Sequence, residues 1–111
     1  MTYRSRALLD LAHQMQTCTV GIPEACQGTS PEGLEPAHAN WQAHGRGIGH
    51  KADDVFAAAC PGCHRALDGG SRLSRADRIF YWQRGAIRTW AWLMEHGWLS
   101  VTPKKTVDGQ R

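Results

Sequence analysis

Cys60-Pro61-Gly62-Cys63 restricts the possible folds of this chain more than any other stretch. Two cysteines with two residues between them let both thiolates reach one tetrahedral Zn²⁺ through bonds of about 2.3 Å. Such a knuckle supplies half of a tetrahedral set. The chain has four cysteines in all, so Cys18 and Cys26 are the pair that completes a Cys₄ site. Their own spacing is wider than a knuckle's, and by itself weak evidence. Two disulfides are the alternative use of four cysteines, and a small buried thiol the alternative for Cys18 or Cys26 singly. A reducing compartment favours metal.

The knuckle runs directly into His64-Arg65-Ala66-Leu67-Asp68-Gly69-Gly70. On a helix, His64 and Asp68 fall on one face, one turn apart. A structural clip is thus followed by a second pair of possible metal ligands, and the two glycines then end the helix.

With 111 residues and a formal charge of +3, the chain has room for one domain with a modest core, which a metal staple would help. A mildly basic chain suits a polyanionic partner, although an ordinary solvated surface would look the same. No apolar run approaches the roughly 20 residues that span a bilayer. Asp10 interrupts the apolar start, which therefore does not read as a signal peptide, and the expected location is cytoplasmic.

Ser5 can cap a short helix over about 6–15, with Leu8, Leu9, Ala12 and Met15 as its apolar stripe. His13 beside it reads as a surface or capping histidine. The β-branched residues of Cys18-Thr19-Val20-Gly21-Ile22-Pro23 predict a short strand and a turn. Residues 27–36 are turn-rich and read as a surface loop. A strand is expected to enter at His38, and a second to run over 53–60 to the knuckle. Between them lies a basic glycine loop with Gly45, Arg46, Gly47, Gly49, His50 and Lys51. Ala52 follows Lys51, which excludes a nucleotide P-loop, but its amides and cations suit phosphodiesters. Ser74 resembles the start of a capping box. A long helix over about 75–96 should follow, with Ile79, Trp82, Ala86, Trp90 and Leu93 facing inwards. Phe80, Ile87 and Met94 are expected to widen that stripe, Gly85 to weaken the helix, and 98–101 to form a terminal strand. The tryptophans read as core, except Trp41, which lies beside His38 and is a candidate base-stacking platform.

Strand, loop, strand and metal-bearing helix in this order resembles the ββα-metal arrangement of HNH nucleases. More narrowly, residues 18–68 resemble the small phage and prophage HNH-like nuclease family typified by YbcO. The shared text is Cys-x-Val-x-Ile-Pro-x-x-Cys, Ala-His, Gly-x-Gly-x-Lys-x-x-Asp and Cys-x-x-Cys-His-x-x-x-Asp. The resemblance implies an α+β fold: a zinc-stapled ββα-metal core with a short N-terminal helix and a long C-terminal one. Residues 1–102 would be one domain and 103–111 a polar tail. It implies a metal-dependent endonuclease acting on DNA in phage or prophage DNA processing. Cys18, Cys26, Cys60 and Cys63 would hold structural Zn²⁺; His64 and Asp68 would hold Mg²⁺ or another divalent ion. His38 would be the general base, since an imidazole with an ordinary pKa of about 6.5 can take a proton at neutral pH. Asp54, or Asn40 in its place, would brace the loop or orient His38, while Arg46 and Lys51 would meet flanking phosphates. A homodimer is compatible with this reading but not required by it.

One departure matters. The residue before the general-base histidine usually supplies a metal ligand in the group, and here it is Ala37. Glu35, His44 or His50 could substitute, water could fill the position, or catalysis could be weak. Another assignment would place His64 in the zinc site. The rival function is a non-catalytic zinc module that binds nucleic acid, and a purely structural zinc protein stays open. A zinc deaminase fits poorly, because His38-Ala39-Asn40 lacks the required Glu and Ala59 replaces a Pro.

Overall fold

In the computed structural model, residues 4–39, 41, 55–69 and 72–103 are described. Asn40, His44, Arg46, His50, Lys51 and Asp54 lie outside them, as do residues 104–111. The fold is α+β, with three α-helices and a two-stranded sheet among the described residues.

Helix α1, Arg6–Asp10, begins where the Leu8 amide donates to Ser5 Oγ at 3.1 Å. The predicted helix to residue 15 tightens after Asp10 into a 3₁₀ turn, Leu11–Gln14, as helix ends commonly do. Ala12 and Met15 are buried from it, and His13 is exposed. The strand expected at Cys18–Val20 does not form. Its amides bond one by one to distant carbonyls: Cys18 to Gly28 at 2.8 Å and Thr19 to Ala58 at 3.2 Å. The β-branched residues there mark burial: Val20 and Ile22 are core side chains.

Strand β1, Glu35–Ala37, pairs antiparallel with β2, Ala57–Ala59, in the register Glu35↔Ala59, Pro36↔Ala58 and Ala37↔Ala57. The first strand thus ends just before His38, where the sequence suggested it would begin. Pro36 has no N–H to give, and its partner Ala58 makes its bonds elsewhere. The Ala58 amide donates to Thr89 Oγ1 at 2.9 Å, and its carbonyl accepts from Thr19 Oγ1 at 2.7 Å. The alanines of β2 are fully buried, and their small side chains let a helix pack close.

Helix α2, Pro61–Leu67, follows with Cys60 as its N-cap, Pro61 in its first turn and Asp68 as its C-cap. Helix α3, Arg75–Glu95, starts at Ser74, whose Oγ accepts from the Asp77 amide at 3.1 Å. Trp82, Ala86 and Leu93 are buried as the periodicity predicts. Phe80, Ile87 and Met94 do not widen that stripe: they recur every seven residues, share the outer face and are exposed. Gly85 marks the point where α3 meets the sheet. A Cβ there would lie 2.7 Å from Val20 Cγ2 and 3.0 Å from Ala57 Cβ, so close approach explains the residue that helix propensity disfavours. Thr89 is buried one turn on and donates to the Gly85 carbonyl at 2.7 Å.

The helix closes with amides of Trp98 and Leu99 on the Leu93 carbonyl, at 2.9 and 3.2 Å. Trp98 and Leu99 therefore turn back to the helix end, and residues 98–101 form no strand. Trp41 is buried with its ring edge on Trp82, centroids 5.9 Å apart. It is a core residue, contrary to its reading as a stacking platform.

Candidate functional site

Cys60 closes β2 and caps α2, and Cys63 sits in the first turn of that helix. Cys26 lies at the end of a turn closed by its amide on the Ile22 carbonyl at 2.9 Å. These elements bring one sulfur each from Cys18, Cys26, Cys60 and Cys63 within 4.8 Å of one another. None is in a disulfide. Amide donors ring the sulfurs: Gln27 and Cys63 onto Cys60 Sγ at 3.3 and 3.4 Å, and Ile22 onto Cys63 Sγ at 3.4 Å. Gly28 bonds Cys26 Sγ at 3.3 Å and Cys60 bonds Cys18 Sγ at 3.4 Å. Gly62 lets the knuckle pass the 22–27 turn: a Cβ there would run into the Ala25 carbonyl oxygen.

The thiols feel opposing forces. Burial pushes Cys63 well above the ordinary thiol range, with the Ile22 amide pulling the other way and Cys18 adding repulsion. Burial also raises Cys26, against the Gly28 amide. At Cys60 burial is outweighed by the amides of Gln27 and Cys63, and its pKa falls below the usual value. Four adjacent thiolates repel one another, and a dication among them removes that cost. The donor set, a knuckle plus two thiols with amides directed at the sulfurs, fits a metal ion such as zinc.

The other end of α2 is different. His64 Nδ1 lies 2.8 Å from Glu35 Oε1, and its Nε2 lies 3.5 Å from Asp68 Oδ2. Side-chain exposures of 28% for His64, 43% for Glu35 and 51% for Asp68 leave all three reachable from solvent. They line an open recess of about 360 Å³ with Pro61 and Arg65. His64 therefore stands apart from the sulfur cluster, its two ring nitrogens facing carboxylates. The Nε2-to-Oδ2 gap is close to the roughly 3 Å that separates adjacent oxygen or nitrogen ligands of an octahedral Mg²⁺ with bonds of about 2.1 Å.

Of the residues singled out in the sequence, the structure gathers the four cysteines, and it sets His64 beside Asp68. His38 follows β1 directly and is half-buried. Asp54, Arg46 and Lys51 are outside the described residues. Ala37 is buried, and its carbonyl accepts from the Trp82 indole N–H at 2.9 Å. Glu35 on His64 is the contact that the site assignment from sequence did not contain. The sequence places Glu35 on the same strand face as Ala37, but the contact with His64 depends on how β1 pairs with β2.

A solved structure from Escherichia coli K-12, described as a putative bacteriophage protein, has the same fold, with a TM-score of 0.62. It is 24% identical, and the match covers 81% of this chain and 99% of that one. The model of the family described as "Putative nuclease YbcO" matches residues 8–98, and the chain belongs to that family. No curated protein matches it. Among the described residues, no helix is long and apolar enough to cross a membrane.

Proposed function

We propose that the protein is a metal-dependent endonuclease that hydrolyses phosphodiester bonds in DNA, built on a ββα-metal core within residues 1–102. The observation that carries this reading is the pairing of His64 with Asp68 in a solvent-open recess directly after the cysteine knuckle. Membership of a family named for nuclease activity supports it.

In this reading Cys18, Cys26, Cys60 and Cys63 bind Zn²⁺ and fix the start of α2. His64 and Asp68 hold Mg²⁺ or another divalent cation, which when bound supplies charge neutralisation at the scissile phosphate and stabilises the leaving oxygen. His38 takes the proton from the attacking water. Asp54 braces the loop or orients His38, and Arg46 and Lys51 contact neighbouring phosphates. Arg65 offers a further contact. It lines the recess of His64 and also an adjoining one of about 550 Å³ that contains Arg72. Two guanidinium groups spaced along one surface suit successive phosphates. Ala37 would leave one fewer protein ligand, a position that water would fill on a cation that retains water readily.

The test is nicking of supercoiled plasmid by zinc-loaded protein with Mg²⁺ or Mn²⁺. His38→Ala and His64→Ala should each lower the rate at least about 100-fold. Nicking that survives both substitutions sinks the mechanism. The buried Ala37 favours a second reading, a zinc module that binds DNA without cutting it. That reading expects DNA binding by the wild type and no nicking with either ion.

A further inference from the structure

We infer that Glu35 is a positioning residue: it holds the proton of His64 on Nδ1 and so presents the Nε2 lone pair beside Asp68 to a cation. This rests on the cation site proposed above and assigns a role that the residues before His38 do not otherwise have. A carboxylate has no hydrogen to donate, so the 2.8 Å contact between Glu35 Oε1 and His64 Nδ1 places the hydrogen on Nδ1. The distance is that of a charge-assisted bond. Asp68 lies on the other edge of the ring, 3.5 Å from Nε2. The two carboxylates therefore do different things. Asp68 can share an ion with Nε2, whereas Glu35 faces the opposite nitrogen. Histidines that bind metals almost always give their second N–H to such a partner, which fixes the tautomer and raises ligand basicity.

The fold puts the carboxylate there by register. Glu35 pairs with Ala59, the residue before Cys60, and the Cys60 carbonyl accepts the His64 amide at 2.9 Å. The strand pair, the knuckle and the imidazole are thus linked within one turn of helix. Ala37, two residues on, is buried, so the strand's acidic group at this site is the one at 35. The ligand missing at Ala37 is not replaced by Glu35; Glu35 orients a ligand that is already present.

The tautomer is read by two-bond ¹⁵N–¹H correlation spectra of zinc-loaded protein without Mg²⁺ or Mn²⁺, and Mn²⁺ affinity by electron paramagnetic resonance. Wild type should carry the His64 proton on Nδ1, and Glu35→Ala should move it towards Nε2. Glu35→Ala should weaken Mn²⁺ binding about 10- to 100-fold, with Glu35→Gln between, because its amide oxygen still accepts. Zinc content and melting temperature should hold in both. A wild-type ring protonated on Nε2 or on both nitrogens overturns the inference. So does a Glu35→Ala protein with unchanged tautomer and affinity. If His64→Ala and Asp68→Ala bind Mn²⁺ like wild type, the cation site itself is wrong. If they lose it and Glu35→Ala does not, only the role of Glu35 fails.

Discussion

The two ends of α2 are built to opposite specifications. At its start, Cys60 and Cys63 are fully buried, and each of their sulfurs accepts at least one backbone amide. At its end, His64 and Asp68 are open to water and flanked by Glu35 and Arg65. The start has the donor set of a closed site, in which all ligand positions are protein atoms. The end is open to solvent, as the proposed cation site would need in order to admit a phosphate. Seven residues of helix therefore join a region that holds the fold to one that adds nothing obvious to it. Substitutions should separate the two in stability measurements.

The largest effect is expected at the closed end. Cys63→Ser removes one of four thiolates from a cluster that links β2, α2 and the 18–28 segment. Apparent zinc-binding energies in small zinc folds are about 10–16 kcal/mol at neutral pH, and much of that is folding energy. The variant should lose stoichiometric zinc and its cooperative thermal transition by circular dichroism, and a strong chelator should do the same to wild type. A Cys63→Ser protein that melts like wild type would break the distinction between the two ends. Gly62→Ala is the milder probe. All four sulfurs remain, but the added Cβ meets the Ala25 carbonyl, and backbone must move. A cost of about 1–3 kcal/mol is expected, as for overpacking elsewhere, read from urea unfolding of the zinc-loaded protein.

The sequence disclosed the two ends of α2 unequally. The cysteines were legible because a two-residue gap has few other uses, and because a Cys₄ set closes the count. The i,i+4 pair His64 and Asp68 was legible from helix geometry. Glu35 as the partner of His64 was not assigned, since the contact depends on the register of β1 against β2, a pairing of Glu35 with Ala59 far along the chain and not a local pattern. The same distance dependence explains Gly85 and Thr89. Sequence alone made Gly85 a helix-weakening residue, and only the contact with Val20 and Ala57 shows why it is there. The misread outer residues Phe80, Ile87 and Met94 show a different failure. Apolar character at helical spacing does not say which of two faces meets the core.

The smallest expected effect sharpens the comparison most. Asp68 is the C-cap of α2, where a negative charge opposes the helix dipole, at a cost of about 0.3–1 kcal/mol. Its pairing with His64 offsets little, because ion pairs at such exposure contribute about 0–1 kcal/mol and salt screens them. Asp68→Asn keeps the side chain's shape and removes the charge. In mildly alkaline buffer the variant should therefore be as stable as wild type or more stable by a few tenths of a kcal/mol, while losing affinity for Mn²⁺. A carboxylate kept at a position that stability disfavours points to a demand from outside the fold. Urea unfolding of zinc-loaded wild type and variant decides the matter. A loss above about 1.5 kcal/mol, the upper range for a single net hydrogen bond, would make Asp68 part of the scaffold, and the open end of α2 would then have no separate task.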